Sequence, residues 1–184
     1  QHQTYCRGGI LIPEDTKNLS ARILIVDDLA DNVELLEMML MAAGYTNITS
    51  TTDPTQVLDL YRKWRYDLIL LDLRMPVMDG FAIMEALTSA IKNDYLPILV
   101  LTAERETDVR QRALESGAKD FLSKPFDNTE VLNRIANMLD VRAHFNDRRW
   151  QTEIVEAEVR RRTEELQETR LEVIRRLGRA AEYR

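Results

Sequence analysis

Four short apolar runs in this sequence each stop at a residue that can do chemistry. Ile23–Val26 leads into Asp27 and Asp28, Leu68–Leu71 into Asp72, Ile98–Leu101 into Thr102, and a weaker run, Asp120–Leu122, into Ser123 and Lys124. Three carboxylates held close together repel one another, which raises at least one pKa. A hard divalent cation removes the conflict, and Mg²⁺ suits a site that offers few carboxylates and keeps several waters. Lys124 supplies a mobile positive charge and Thr102 a hydroxyl donor. Cation, ammonium and hydroxyl around one carboxylate make a cradle for three phosphoryl oxygens, and phosphoryl transfer needs little beyond positioning and charge neutralisation. A carboxylate is itself a phosphoryl acceptor in covalent catalysis. Singly, each residue has a plainer role: an Asp after a strand often caps the next helix, Thr102 suits a turn, and Lys124 suits a solvated surface. The combination at successive strand ends carries the signal. Residue type alone does not choose among the three aspartates.

These residues need elements to bring them together. From Ala21 the chain alternates apolar runs with stretches of helical spacing. Val33, Leu36, Met39 and Leu40 form one stripe; Val57, Leu58, Leu60 and Tyr61 another; Phe81, Met84 and Leu87 a third; Val109, Arg112 and Ala113 a weaker fourth. Asn47–Thr51 reads as a more polar strand suited to a sheet edge. Strand and helix alternate five times with short connections, which predicts parallel strands with helices on both faces, a doubly wound α/β fold. Continuous apolar runs are what strands covered on both faces require. In such a sheet all carboxyl ends lie on one edge, so Asp27 and Lys124 meet although nearly a hundred positions separate them. Open α/β sheets bind ligands on that edge.

Composition bounds the rest. A chain of 184 residues, 45% hydrophobic and 30% charged, has room for one domain and an appendage. A net charge of -6 argues against nucleic acid as the main partner. A single cysteine, Cys6, excludes an internal disulfide. No apolar run reaches the roughly 18 residues that cross a bilayer, and Gln1–Gly9 lacks the features of a signal peptide. The expected location is cytoplasmic, without membrane contact. Residues 1–20 read as a flexible leader broken by Gly8, Gly9 and Pro13, with Ile10–Ile12 as a potential short cover.

After Pro125 the pattern changes. No Pro or Gly occurs before Gly178, and charges become dense. Val131, Met138, Phe145, Thr152, Val159, Leu166, Val173 and Ala180 occupy d of a heptad frame whose a positions hold Ile135, Arg142, Arg149, Glu156, Thr163, Arg170 and Leu177. A sustained frame predicts a coiled coil, here a weak one because of its polar a positions. The expectation is a parallel homodimer in contact from about Asn128 through Arg184.

Ile23-Leu24-Ile25-Val26-Asp27-Asp28, Leu68-Ile69-Leu70-Leu71-Asp72, Met75-Pro76-Val77-Met78-Asp79-Gly80, Leu101-Thr102-Ala103 and Lys124-Pro125-Phe126 together resemble the receiver domain of bacterial two-component response regulators, over about residues 21–140. The resemblance implies a five-stranded sheet of flavodoxin-like order 2-1-3-4-5. It implies that Asp72 accepts a phosphoryl group from a histidine kinase, and that Asp27, Asp28, Asp72 and the backbone carbonyl of Arg74 serve Mg²⁺. Thr102 and Lys124 then bind phosphoryl oxygens. Thr102 and Phe121 stand at the family's switch positions, with Phe121 keeping the ring and lacking the hydroxyl of the frequent Tyr. Arg74 and Glu104, each two residues beyond a site residue, are expected to flank the mouth of the site and tune hydrolysis.

The segment Glu164 to Arg184 resembles the helix that leads into HD-GYP cyclic-di-GMP phosphodiesterases, without any of that domain's His/Asp metal ligands. It implies residues 141–184 as a helical linker toward such an output domain. The fragment itself is then regulatory and not an enzyme. Other outputs, a diguanylate cyclase or a DNA-binding domain, and a stand-alone dimerising adaptor remain alternatives. An aspartate-nucleophile phosphatase would need a second acid where Arg74 stands. A basic DNA-tracking helix is contradicted by the glutamates that interleave with Arg160–Arg162. No glycine-rich phosphate loop follows the first strand, against a nucleotide binder.

Overall fold

The computed structural model describes residues 18–91, 94–103 and 107–182, so residues 1–17 of the expected leader, Ile10–Ile12 included, lie outside the described residues. The elements alternate as the runs and stripes require. They are β1 (Arg22–Val26), α1 (Ala30–Ala42), β2 (Asn47–Thr51), a 3₁₀ turn (Pro54–Gln56), α2 (Val57–Trp64), β3 (Leu68–Leu71), α3 (Gly80–Ala90), β4 (Ile98–Thr102), α4 (Thr107–Glu115), β5 (Asp120–Ser123) and α5 (Asn128–Glu182). All pairings are parallel, in the order β2-β1-β3-β4-β5. The polar strand β2 takes an edge, and the apolar strands β1 and β3 take the interior, which is what their compositions predict.

Each face of the sheet carries its own core. Leu24, Val26, Ile69, Leu71 and Val100 pack with Tyr61, Met84, Leu87 and Phe121 on one side. Ile23, Ile25, Leu68, Leu70 and Leu99 pack with Leu36, Leu40, Val131 and Ile135 on the other. Alternate residues of one strand therefore serve opposite cores, which is why β3 tolerates no polar residue. Each buried Leu or Ile contributes roughly 1.5–3 kcal/mol relative to exposure.

By contacts, the chain divides into two units, one up to Ala143 and one from His144. In the first, the start of α5 is a core helix: Val131 and Ile135 are fully buried, with Met138 and Leu139 beside them. Arg142 is also buried. Its guanidinium pairs with Asp94, donates to the Tyr95 carbonyl and lies 3.7 Å from Asp67. The expected seam from Asn128 therefore needs correction. Its first positions, Val131, Ile135, Met138 and Arg142, are occupied by the domain's own core and ion pairs, so a partner helix can use the frame only from Phe145 onward.

In the second unit the helix is held locally by ion pairs one turn apart, Arg149 with Glu153 and Arg161 with both Glu158 and Glu165. Val159 and Leu166, both d positions, are more than half exposed, at 59% and 71%. Trp150, Ile154 and Leu171 are exposed as well and fall off the a/d frame. Side chains of the later frame positions Val173, Leu177 and Ala180 lie outside the described residues.

Candidate functional site

The site is made by where the strands stop. The backbone N–H of Asp72 donates to the Val26 carbonyl at 2.9 Å, and the Lys124 N–H donates to the Thr102 carbonyl at 2.7 Å. Thr102 stands opposite Ser123 in register. Hydrogen bonding of the sheet thus carries β1, β3, β4 and β5 to one edge, with their terminal residues adjacent.

At that edge Lys124 Nζ lies 2.7 Å from Asp27 Oδ2 and 2.8 Å from Asp72 Oδ1. The other Asp72 oxygen accepts the Arg74 backbone N–H at 2.7 Å. Asp27 and Asp72 are both nearly buried, at 2% and 7% exposure, and Lys124 is half-buried. Burial pushes the Asp72 carboxyl above the ordinary carboxylate range, and the Asp27 charge adds to this. The Lys124 ammonium and the Arg74 N–H oppose the rise without cancelling it. Burial alone would lower Lys124, but its bonds to Asp27 and Asp72 outweigh that and raise it. The two directions have different causes: burial dominates at Asp72, while at Lys124 the two carboxylate partners outweigh burial.

Asp28 differs from Asp27. It is half-buried and lines a cleft of about 680 Å³ together with Arg74, Phe81, Asp108 and Arg112. Among the described residues no hydrogen bond or ion pair occupies its carboxylate. The Arg112 guanidinium sits 4.1 Å over the Phe81 ring on one wall. Thr102 is buried at 1% and Phe121 at 8%, the latter in the core beside Ala113 and Phe81. Arg74 is exposed at the cleft, while Glu104 lies outside the described residues.

The donor set fits a small hard cation. Asp28 offers an unengaged carboxylate, Asp72 one that already accepts from Lys124 and the Arg74 N–H, and the Arg74 backbone a neutral carbonyl oxygen nearby in sequence. No three acidic or histidine side chains among the described residues converge into a ready cage. Mg²⁺ keeps several waters and binds through one or two carboxylates, so Asp28 and Asp72 suffice as its acidic ligands.

Two positions that residue types did not single out shape the site. Gly80 opens α3 where a β-carbon would sit 2.7 Å from the Asp72 carbonyl oxygen and 2.9 Å from Leu73 Cα. Its N–H bonds the Leu73 carbonyl at 2.9 Å, and Asp79 caps the helix through Ala82 N–H at 2.8 Å. The contacts are to backbone, so nothing flexible can yield. Gly80→Ala is expected to cost about 1–3 kcal/mol of overpacking, which urea denaturation checks. The other position is Asn32, whose amide reaches both oxygens of Asp27. It stands four residues past the Asp-Asp pair, in the first turn of α1, and a lone Asn there carries no signal by itself.

The chain matches the family described as response regulator receiver domain over residues 23–136. It belongs to that family. Among curated relatives, the response regulator PleD of Caulobacter vibrioides is 40% identical over 120 residues, 65% of this chain and 26% of PleD. The cyclic di-GMP phosphodiesterase response regulator RpfG of Xanthomonas campestris pv. campestris is 32% identical over 168 residues, 91% of this chain and 44% of RpfG. The receiver chain thus spans less than half of either relative. Among solved structures, chemotaxis protein CheY4 of Vibrio cholerae aligns with a TM-score of 0.59 at 32% identity, covering 65% of this chain and 98% of that one. CheY in the CheX-CheY-BeF3-Mg complex of Borrelia burgdorferi aligns with a TM-score of 0.59 at 28% identity, covering 64% and 87%. Among the described residues no helix is long and apolar enough to cross a membrane.

Proposed function

We propose that this receiver takes a phosphoryl group onto Asp72 from the phosphohistidine of a sensor histidine kinase, in a Mg²⁺-dependent reaction. The observation that carries it is the Asp72 carboxylate, held by Lys124 and the Arg74 N–H beside an open cleft where Asp28 is unengaged. A carboxylate oxygen of Asp72 attacks phosphorus, the new O–P bond forms as the P–N bond to the donor imidazole breaks, and the imidazole leaves with the electron pair. Of the groups expected to serve Mg²⁺, Asp28, Asp72 and the Arg74 carbonyl would hold it. Asp27, whose oxygens accept from the Leu29 N–H, Asn32 and Lys124, would act from one step back. Bound Mg²⁺ neutralises charge on the phosphoryl oxygens. Asp27 anchors Lys124. Lys124 and the Thr102 hydroxyl then receive two phosphoryl oxygens, and Thr102 drawn toward the site would leave space that Phe121 turns to fill. Arg74, exposed at the cleft, would restrict hydrolytic water; Glu104, its expected partner there, lies outside the described residues.

The test is a small acyl-phosphate donor with and without Mg²⁺, followed by mass-spectrometric mapping. Label on Asp72 that requires Mg²⁺ is expected, and Asp28→Ala should weaken Mg²⁺ binding. Label on another residue, or label independent of the metal, would overturn the assignment.

For the whole protein, we assign the helix beyond Ala143 as a linker to an output domain, a HD-GYP cyclic-di-GMP phosphodiesterase. The long RpfG alignment supports this, since 168 matched residues must run well past the receiver. The transcriptional regulatory protein PrrA of Mycobacterium tuberculosis, 38% identical over 125 residues, matches only 68% of the chain, which favours it less. The tail would relay the signal as a parallel homodimer, since parallel packing delivers two outputs side by side. Light scattering of residues 1–184 at tens of micromolar should give a dimer mass, and a chain ending at Ala143 a smaller one. A monomer of the longer chain with the beryllofluoride mimic bound would remove the relay.

A further inference from the structure

We infer that Asn32 is a positioning residue for phosphoryl transfer, which holds Asp27 so that Lys124 stays available to Asp72. The inference rests on the reading of Asp72 as the acceptor.

Every lone pair region of Asp27 facing the protein is occupied. Oδ1 accepts the Leu29 N–H at 3.0 Å and the Asn32 amide nitrogen at 2.9 Å. Oδ2 accepts the same amide at 3.0 Å and Lys124 Nζ at 2.7 Å. A carboxylate has nothing to donate, so the Asn32 amide must present its nitrogen here. Asn32 is half-buried in the first turn of α1, its backbone N–H bonded to the Leu29 carbonyl at 3.1 Å. That turn fixes the side chain over the edge of β1.

The consequence concerns competition. Lys124 is one cation between two buried carboxylates at nearly equal distances, 2.7 and 2.8 Å. When the phosphoryl group arrives, the ammonium has to serve its oxygens, and any excess pull from Asp27 opposes that. Donors aimed at a carboxylate stabilise its charge and lower its demand for the ammonium. Asn32 and the Leu29 N–H supply such donors to Asp27, while among the described residues Asp72 accepts from the Arg74 N–H and Lys124. The asymmetry biases Lys124 toward Asp72. Asn32 also restrains rotation of the Asp27 carboxylate, since one nitrogen within reach of both oxygens defines its plane. Asp28, with no such donor, stays open to the cleft. One asparagine thus separates two adjacent aspartates into an anchor and a free ligand.

Residues that orient the groups of a site without touching the reactants are typically worth about 10–100-fold in activity or metal affinity. Asn32→Ala is therefore expected to lower the rate constant of phosphorylation, at saturating Mg²⁺ and acyl-phosphate donor, by about tenfold. The donor concentration for half-maximal rate should stay within about twofold, because Asn32 does not face the donor. Asn32→Ser, which keeps a short donor, should recover part of the rate. Asn32→Asp keeps the volume, replaces the donor with an anion, and should be slow even if Asn32→Ala folds poorly. Calorimetric titration with Mg²⁺ alone gives a readout independent of turnover: Asn32→Asp should alter affinity through its added charge, and Asn32→Ser should not. A full wild-type rate in Asn32→Asp would overturn the inference. So would Asn32→Ala and Asn32→Ser slowing equally and in step with their melting temperatures, since that is the behaviour of a structural residue. If the unsubstituted chain takes no label on Asp72, the acceptor assignment fails instead, and the two failures are distinct.

Discussion

Asp72→Asn is expected to take up no phosphoryl group from any donor, while Lys124→Ala takes it up about 10²–10³-fold more slowly, the usual cost of deleting one charged group aimed at a transferring centre. The first substitution removes the nucleophile and leaves the fold intact, because the side-chain amide it introduces still offers an oxygen to the Arg74 N–H. It should even relieve the repulsion that burial and Asp27 impose on the carboxyl. The second leaves two nearly buried carboxylates without their shared cation. Lys124→Ala is thus expected to lose stability, and Asp72→Asn to hold or gain it. Retention of label by Asp72→Asn, measured by intact mass at saturating donor and Mg²⁺, would refute the acceptor. A Lys124→Ala rate equal to that of the unsubstituted chain would remove the lysine from the mechanism.

The largest effect on stability is expected far from this edge, at Arg142. Its side chain is 9% exposed and faces Asp94, itself 14% exposed, with the Tyr95 carbonyl and Asp67 alongside. Removing one partner of a buried pair strands the other, at about 3–5 kcal/mol. For a domain of this size that lowers Tm by on the order of 10 °C. Arg134, paired with Asp120 and Glu130, is one-third exposed. Arg134→Ala should therefore cost about 1 kcal/mol or less. Melting curves of Arg142→Ala and Arg134→Ala side by side test the contrast; equal shifts would mean that water screens Arg142 as well. The anchor also matters for the test of the tail. Arg142 ties α5 to the connections that precede β3 and β4, so a chain ended near Asp140 loses the anchor and is a poor control for the tail. A chain ended at Ala143 keeps it.

The fold of the domain was legible from residue types because local rules and global fold agree here, while its family was legible only from the resemblance of its motifs. Ile23–Val26, Leu68–Leu71 and Ile98–Leu101 are unbroken apolar runs, and only strands covered on both faces use such runs. Parallel connection then obliges Asp27, Asp28, Asp72, Thr102 and Lys124 to share an edge, whatever the details of packing. The heptad frame shows the limit of this logic. Val131, Ile135 and Met138 satisfy a coiled-coil period and a core-facing helical stripe equally well, since both ask for apolar residues every three to four positions. Burial against β1, β3 and β4 decides between them.

Partner choice was not legible at all. Nothing in the order of residues says that Lys124 divides itself between Asp27 and Asp72, that Asn32 spans both Asp27 oxygens, or that Arg142 reaches Asp94 across 48 positions. Nor does it say that a β-carbon at Gly80 would strike the Asp72 carbonyl. These are contacts between elements distant in sequence, and their distances depend on how helices seat on the sheet to a fraction of an ångström. A hydrogen bond or a backbone clash is decided within that fraction. The sequence by itself determined the strands, their common edge and the chemical groups delivered there. Tertiary packing alone decided which carboxylate is anchored, which is free, and where the helix α5 stops belonging to the core.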